Sequence, residues 1–330
     1  MQVARSVRRN PGAGSVVLVY HRVADTATDH WRLAVSPSHF EQHLRVLRRL
    51  TRPMPLDELV DRAVAGTPAP RSVAVTFDDG YADNLYHAAP LLERYQVPGT
   101  VFVTPVAALG DTEFWWDELA RLVLDSNELP KTLALDIEGI QVSWELSPPV
   151  DDRNNRIALC GQLRDVMLGL GHPQRRMVLD RLRAWIGRTP GTLESARPVT
   201  EDELLALSRS PFVEIGGHTL SHPALPSLDS EAQRQELEGG QAHIARITGS
   251  QPTSFAYPFG EPGAMPAVLE TTVKSVGFQR ACTLQPDTIR GLVHPLRIPR
   301  YMVPDVDGRR FALRLAGWLL SCQDGYDVTW

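Results

Sequence analysis

Short runs of apolar and β-branched residues alternate with helix-like segments along this chain, and this alternation limits the possible folds more than any other feature. It indicates an α/β fold with a mainly parallel sheet. If such a sheet closes into a barrel, the active site is expected where strands end and loops begin. The predicted strands are Ser15–Tyr20, Ser72–Phe77, Gly99–Val103, Val213–Gly216, Ser254–Tyr257 and Phe278–Thr283.

The chain has 330 residues, 43% of them hydrophobic, which is enough to bury a substantial core without disulfide bonds or a structural metal. We therefore predict a single large domain over residues 1–330. A helix is predicted after the opening strand, with Ser38 and Glu41 forming a capping box. Its apolar residues fall on one helical face. They are Phe40, Leu44, Leu47 and Leu50.

Between residues 111 and 198 the alternation changes. The stretch FWWDELARLVLDS is typical of a helix, and TLALDIEGIQVSW alternates like a hairpin that turns at Glu138 and Gly139. Two more helices are predicted over Arg153–Leu170 and Gln174–Gly187. We interpret 111–198 as a mainly helical insertion that acts as a lid or shapes a substrate site.

Charge and cysteine usage exclude some classes of function. The net charge of -5 argues against a nucleic-acid-binding protein, whose phosphate-reading surface is normally basic. The apolar run Val16–Tyr20 is too short for a signal peptide, so a cytoplasmic protein is expected. The cysteines have no metal-binding spacing and are expected to be buried free thiols. They are Cys160, Cys282 and Cys322.

The predicted strand Ser72–Phe77 runs directly into two adjacent carboxylates, Asp78 and Asp79. Neighbouring acids repel each other when they are partly desolvated, so such a pair usually holds a cation or handles a proton. His218 and His222 are four residues apart, so both imidazoles would project from one side if this stretch makes a helical turn. Two imidazoles and a carboxylate suit zinc or a harder divalent ion. The alternative is that His218 and His222 are ordinary surface or core histidines that bind no metal.

Four short motifs together resemble the polysaccharide deacetylase family, also called the NodB-homology fold or carbohydrate esterase family 4. TFDDG (Thr76–Gly80) and HTLSHP (His218–Pro223) look like its first two motifs. FAYPFG (Phe255–Gly260) resembles the third, and YHRV (Tyr20–Val23) resembles an opening segment. The resemblance implies a distorted (β/α)7-type barrel, NodB-like, that removes an acyl group, usually acetyl, from an amino sugar nitrogen with the help of a metal.

Carried over position by position, the resemblance implies that Asp79, His218 and His222 hold the metal. The ion would be zinc, with cobalt or nickel as alternatives. Asp78 would be the general base, since a metal lowers the pKa of its bound water and a nearby carboxylate can complete the deprotonation. The backbone N–H of Phe259 would bind the oxyanion that forms.

The sequence departs from the family pattern in two places. The third motif commonly begins with an arginine, and Ala256 stands there. We predict that Arg297 or Arg300 supplies the missing charge. The alternative is that each arginine only forms an ion pair on the protein surface. The late histidine that serves as general acid in the family is matched loosely by His294. His21, after the first strand, is the other candidate to line the site, as a group that supports the reacting residues. A histidine packed near the mouth of the barrel is the alternative.

Aromatic residues are the candidate substrate contacts. Trp115 and Trp116 open the insertion, and indoles stack on sugar rings. The other interpretation is that both tryptophans only anchor the inserted helices to the barrel. Tyr257, which starts the turn of the third motif, and His21 are also predicted at the substrate. The segment 308–322 is predicted to be an amphipathic helix, which closes the barrel, pairs two subunits or rests on a membrane surface.

We therefore expect a hydrolase that removes an N-acetyl group from an amino sugar inside the cell. The predicted partner is a carbohydrate or a glycosylated small molecule, such as a glycan, a lipid- or nucleotide-linked sugar or a glycosylated metabolite. One rival is a related hydrolase acting on a cyclic amide or an N-formyl group. The other is a catalytically silent member that binds a glycan.

Overall fold

The computed structural model describes residues 13–26, 29–126, 129–137, 140–145, 153–187, 196–260 and 267–320. The chain forms two compact units. The larger unit comprises Met1–Pro105 and Val199–Trp330, and the smaller comprises Val106–Pro198. The smaller unit begins before the predicted insertion 111–198 and ends at the same residue.

The strands and helices follow each other in the alternation that the sequence indicates. The strands are β1 (Val16–Tyr20), β2 (Arg22–Val23), β3 (Ala34–Val35), β4 (Arg52–Pro53), β5 (Ser72–Phe77), β6 (Gly99–Val103), β7 (Thr132–Ile137), β8 (Ile140–Glu145), β9 (Val213–Gly217), β10 (Ser254–Ala256), β11 (Arg280–Cys282) and β12 (Tyr301–Met302). The helices are α1 (Pro37–Leu50), α2 (Leu56–Val64), α3 (Ala89–Tyr95), α4 (Trp115–Leu124), α5 (Arg153–Leu168), α6 (His172–Ile186), α7 (Glu201–Ser208), α8 (Ser230–Thr248), α9 (Ala267–Val276) and α10 (Gly308–Leu320).

The larger unit is built on a parallel sheet with the strand order β11-β10-β9-β6-β5-β1-β12, and β4 pairs with β5. Every residue of β1 and β5 is buried, as expected for parallel strands covered on both faces. Ile298 pairs with Cys282 of β11, while Tyr301 pairs with Leu18 of β1. The segment 298–302 therefore contacts both edges of the sheet, which curls into a partly closed barrel. The predicted α/β fold is confirmed.

Helix α1 begins differently from the prediction. Ser36, not Ser38, is the N-cap, and its side chain accepts a hydrogen bond from the His39 N–H. Pro37 occupies the first helical turn, where its missing N–H leaves no helical hydrogen bond unmade. The predicted apolar face is confirmed, because its residues are all buried. They are Phe40, Leu44, Leu47 and Leu50.

Helix α10 contributes its apolar face to the same core as the central strands. Phe311 and Leu315 are fully buried, and Trp318 is nearly so. This burial favours the interpretation in which the helix closes the barrel. No helix in the described part of the chain is long and apolar enough to cross a membrane. Cys322 lies outside the described residues.

The smaller unit combines an antiparallel pair, β7 with β8, and the helices α4, α5 and α6. The predicted turn at residues 138–139 lies outside the described residues. Trp115 and Trp116 are 7% and 6% exposed. The Trp116 ring stacks on Phe114 at 4.8 Å, and the Arg175 guanidinium lies 5.5 Å from the Trp115 ring. Both indoles therefore pack within this unit, and their predicted role in substrate binding stays a prediction.

Two of the cysteines are described, and both are buried free thiols, as predicted. They are Cys160 in α5 and Cys282 in β11. Burial raises the pKa of both thiols to about 12. A thiol with such a pKa is protonated at neutral pH and is a poor nucleophile.

Candidate active site

The candidate site lies at the carboxyl ends of the parallel strands of the larger unit. Asp78 and Asp79 follow β5, and His218 follows β9. Since parallel strands end at one edge of their sheet, these side chains converge although they lie far apart in the sequence. Asp78, Asp79 and His218 are each 2% exposed, and His222 is 5% exposed.

Asp79 faces both histidines. Its Oδ1 atom lies 3.4 Å from His218 Nε2 and 3.3 Å from His222 Nε2. The Asp79 backbone has a φ of 73°, in the left-handed region, and its carbonyl accepts a hydrogen bond from the Thr104 N–H at 3.0 Å. Burial raises the pKa of Asp79, but hydrogen bonds with the two facing imidazoles lower it by more than burial raises it. The pKa of Asp79 therefore lies well below its ordinary value.

The two histidines do not share a helical turn, which was the condition under which their spacing would bring them to one side. The chain turns between them through left-handed backbone at Thr219 (φ 67°) and His222 (φ 55°). Their ring centroids lie 4.8 Å apart. The His218 Nδ1 atom lies 2.7 Å from the Ala256 carbonyl oxygen, which can only accept, so Nδ1 carries the proton. The Nε2 atom of His218 therefore faces Asp79 and is the ring atom that could bind a metal ion.

These three side chains fit a divalent metal ion. In the described part of the chain, their ligand atoms all lie within 4.8 Å of one another. A tetrahedral ion with bonds of roughly 2.0–2.1 Å keeps its ligand atoms about 3.3 Å apart, which agrees with the Asp79 to histidine distances. Two imidazole nitrogens and a carboxylate oxygen also suit cobalt and nickel. The donor set thus fits zinc without excluding its chemical neighbours.

Asp78 faces a different partner, Arg300. Two guanidinium nitrogens of Arg300 donate to the two Asp78 carboxylate oxygens at 2.6 and 2.7 Å. Arg300 is fully buried and also donates to Thr76 Oγ1 at 3.1 Å and to the Thr283 carbonyl at 2.9 Å. Burial raises the pKa of Asp78, but the charge of Arg300 lowers it below the ordinary value. Asp78 is therefore ionised at neutral pH.

Arg297 and His294, the other two candidates from that part of the sequence, face Glu270 on α9. The Arg297 guanidinium forms an ion pair with Glu270, and His294 Nδ1 lies 3.9 Å from the same carboxylate. Their side chains are 49% and 56% exposed. Within the described residues, neither contacts Asp78 or Asp79. The structure thus brings Arg300 to the site but not Arg297 or His294.

The third motif places Tyr257 and Phe259, two of its three aromatic residues, in different surroundings. Tyr257 is 2% exposed and donates to the Leu296 carbonyl at 3.2 Å, and its predicted contact with a substrate stays a prediction. Phe259 is half-buried, has a φ of 53°, and lies with its ring 4.6 Å from the His222 ring. Among the described residues, no group accepts a hydrogen bond from the Phe259 N–H.

His21 lies at the end of β1, beside the Asp78 backbone. The Asp78 N–H donates to the Tyr20 carbonyl at 3.0 Å, and Asn84 Nδ2 donates to the His21 carbonyl at 2.8 Å. His21 is 8% exposed. Burial raises the pKa of Asp79, and the nearby charge of His21 is among the influences that lower it. His21 is therefore close to the two acids, unlike His294.

Three supporting residues were not found from the sequence. Thr76 binds Arg300, Asn84 holds the His21 carbonyl, and Thr104 Oγ1 donates to the His218 carbonyl at 2.8 Å. Thr104 is a polar residue directly after β6, so the rule that placed Asp78 at a strand end could have found it. Asn84 lies in a helical turn after the two acids and does not directly follow a strand, so the same rule could not have found it.

Comparisons with known proteins agree with this geometry. The family model described as polysaccharide deacetylase matches residues 65–130 and 182–281. The Bacillus subtilis (strain 168) protein YxkH, provisionally named a polysaccharide deacetylase, is 30% identical over 92 residues. That match covers 26% of this chain and 30% of YxkH, so the chain matches less than a third of that relative's length.

Two solved structures share the fold across nearly the whole chain. The deacetylase PplD from Streptococcus pyogenes, solved in complex with acetate, has a TM-score of 0.58 at 14% identity. The match covers 92% of this chain and 99% of that one. IcaB from Ammonifex degensii has a TM-score of 0.55 at 19% identity, covering 94% and 98%. At such identities the likeness concerns the fold alone.

Proposed function

The chain belongs to the polysaccharide deacetylase family, and on that premise we propose that it hydrolyses the N-acetyl group of an amino sugar with the help of a divalent metal ion. The observation that carries the proposal is the division between two adjacent acids. Asp79 faces His218 and His222, whereas Asp78 is bound by Arg300. One acid is therefore arranged to bind a cation and the other to accept a proton.

Asp79, His218 and His222 are the residues that would hold the ion. When bound, the ion polarises the amide carbonyl and lowers the pKa of a water molecule. The hydrogen bond from His218 Nδ1 to the Ala256 carbonyl fixes the ring so that Nε2 faces the site. This arrangement supports zinc as the ion, with cobalt or nickel as alternatives.

Asp78 is proposed to accept the proton of the attacking water. It is ionised, and the two hydrogen bonds from Arg300 fix the direction of its carboxylate. As the water oxygen bonds to the acetyl carbon, negative charge develops on the carbonyl oxygen. The Phe259 N–H is proposed to donate to that oxygen. Breaking the C–N bond then yields acetate and a free amine.

The leaving amine must take up a proton, and His21 is the proposed donor. His21 lies at the site edge near both acids, whereas His294 pairs with Glu270 on α9. Histidine is the side chain that most often serves as a general acid in enzymes. The proposal therefore moves the general-acid role from His294 to His21.

The compartment and the molecule that carries the amino sugar stay predictions. A cytoplasmic protein would act on an intracellular glycan, a lipid- or nucleotide-linked sugar, or a glycosylated metabolite. Substrates from each of these classes belong in the assay, together with long extracellular polymers. Activity on such polymers alone would contradict the prediction.

The test pairs metal content, measured by elemental mass spectrometry, with acetate release from N-acetylglucosamine compounds. Asp78→Asn is expected to keep the ion and to lose about 10²-fold or more in turnover, because the base is removed. Asp79→Asn is expected to lose the ion and the activity together. Thermal melts of both variants establish that they are folded. Acetate release by Asp78→Asn at the wild-type rate would overturn the proposed roles.

A further inference from the structure

The loop between the two histidines is held in an unusual conformation. Thr219 and His222 both have φ values in the left-handed region, at 67° and 55°, where residues other than glycine rarely lie. Such backbone persists only where the surroundings determine it firmly. Since both histidine rings face Asp79, whatever fixes this loop also fixes the distances within the candidate metal site.

Glu236, on α8, binds this loop through both of its carboxylate oxygens. Its Oε2 atom accepts from the Leu220 N–H at 3.1 Å and from the Ser221 N–H at 2.8 Å. Its Oε1 atom accepts from the Ser221 hydroxyl at 2.6 Å. Hydrogen bonds to an ionised carboxylate are stronger than those between neutral groups. One side chain thus satisfies three donors of the loop.

Helix α8 also approaches the loop closely, one turn beyond Glu236. A Cβ atom on Gly240 would lie 2.5 Å from the Thr219 carbonyl oxygen, closer than real Cβ contacts allow. Glu236 and Gly240 are four residues apart and share one face of the helix. The same helix is anchored in the core by Leu237 and Ile244, which are fully buried. The loop is therefore supported by a fixed element.

We propose that Glu236 is a positioning residue that holds the loop Thr219–Ser221 so that His218 and His222 converge on Asp79. This inference rests on the proposed metal-dependent function. Without the carboxylate, two backbone N–H groups lose their acceptor and the left-handed backbone loses its support. The histidines would then spend less time at the separation that the ion requires, and the affinity for the ion would fall.

Two substitutions of Glu236 distinguish the effect of its hydrogen bonds from the effect of its side-chain volume. Glu236→Leu keeps the size but removes all three acceptor contacts. Glu236→Gln keeps an amide oxygen for the two N–H groups and an NH₂ group that can donate to the Ser221 hydroxyl. Glu238→Leu is the matched control, because Glu238 lies on the same helix with a side chain that is 51% exposed.

The measurement is the Kd for Zn²⁺, obtained by competition with a chelator on the purified full chain, alongside the Tm of the metal-free protein. Glu236→Leu is expected to weaken binding by about tenfold or more, as changes behind a metal ligand commonly do. Glu236→Gln and Glu238→Leu are expected to stay near the wild-type Kd. A merely structural role would lower the Tm of Glu236→Leu without changing the Kd of the folded protein.

Equal Kd values for Glu236→Leu and wild type would overturn the inference, as would loss of affinity in Glu238→Leu to the same extent. The readout is metal affinity and not acetate release. A wild-type protein that binds Zn²⁺ but releases no acetate would therefore contradict the proposed function, while the ratio of Kd values would still decide the role of Glu236.

Discussion

Asp78 and Asp79 are neighbours in the chain, yet their side chains have different surroundings. Asp79 faces two imidazole nitrogens, and Asp78 is paired with a permanent cation, Arg300. Two buried carboxylates at adjacent positions would repel each other strongly in a medium of low dielectric constant. Arg300 offsets that repulsion from one side and keeps Asp78 charged, which is the state that a general base requires.

Arg300→Met is expected to destabilise the protein by about 3–5 kcal/mol, because it leaves the buried Asp78 charge without a partner. Urea unfolding at neutral pH measures the change. Arg297→Met is the control, since Arg297 is half-exposed and pairs with Glu270 near the surface, and its cost should be below about 1 kcal/mol. Similar costs for the two variants would contradict the assignment of Arg300.

The sequence left Arg297 and Arg300 as equal candidates for a physical reason. They lie in one short segment, and the direction of each side chain depends on how that segment pairs with both edges of the sheet. Ile298 pairs with Cys282, and Tyr301 pairs with Leu18. Such long-range pairing leaves no trace in the local pattern of residues. The three residues of the candidate metal site were easier to find because short motifs carry them.

Elements differ in how well their sequences specify them. The buried parallel strands were predicted closely, since continuous apolar runs bounded by polar residues are typical of them. The conformation of the loop His218–His222 is not the helical turn that the four-residue spacing would allow. Its left-handed residues depend on contacts with Glu236 and Gly240 of α8, which local spacing does not encode. The N-cap of α1 differed by two residues, as helix boundaries often do.

Helix α10 offers a direct test of its place in the core. Leu315→Ala is expected to lower the free energy of unfolding by about 2–5 kcal/mol, because Leu315 is fully buried. Leu313→Ala, on the same helix, should change it by less than about 0.5 kcal/mol, since Leu313 is 53% exposed. Chemical denaturation of both variants measures the difference. Equal effects would mean that the helix does not pack as described.

At the scale of the whole molecule, a buried histidine links separate parts of the larger unit. His43 on α1 receives a hydrogen bond from the Tyr20 hydroxyl at 3.2 Å and donates through Nε2 to the Val306 carbonyl at 2.7 Å. Its ring stacks on Phe311 of α10 at 4.1 Å. Burial lowers the pKa of His43 to about 4. The folded protein therefore holds this side chain neutral.

This linkage predicts how stability depends on pH. The unfolded chain binds a proton at His43 below about pH 6.5, whereas the folded chain does so only near pH 4. The contribution of His43 is fully present above pH 6.5 and is lost as the pH falls toward 4. The free energy of unfolding that His43 contributes falls by about 2 kcal/mol from pH 7.5 to pH 5.

Urea unfolding at pH 7.5 and at pH 5 measures this dependence. In His43→Leu the loss of stability between the two pH values should be smaller than in wild type by about 2 kcal/mol, whatever its absolute stability. Other carboxyl and imidazole groups contribute equally to both proteins and cancel in the comparison. An unchanged difference would mean that His43 is protonated in the folded state.

The pairing of Asp78 with Arg300 also bears on biosynthesis. The two residues are 222 positions apart in the chain, and the segment that carries Arg300 joins both edges of the sheet. A ribosome adding about 5–20 residues per second needs roughly 10–45 seconds to pass from one to the other. During that interval the nascent chain carries Asp78 without its counter-charge. Closure of the barrel and neutralisation of the buried Asp78 charge are thus a single, late event in the synthesis of each polypeptide.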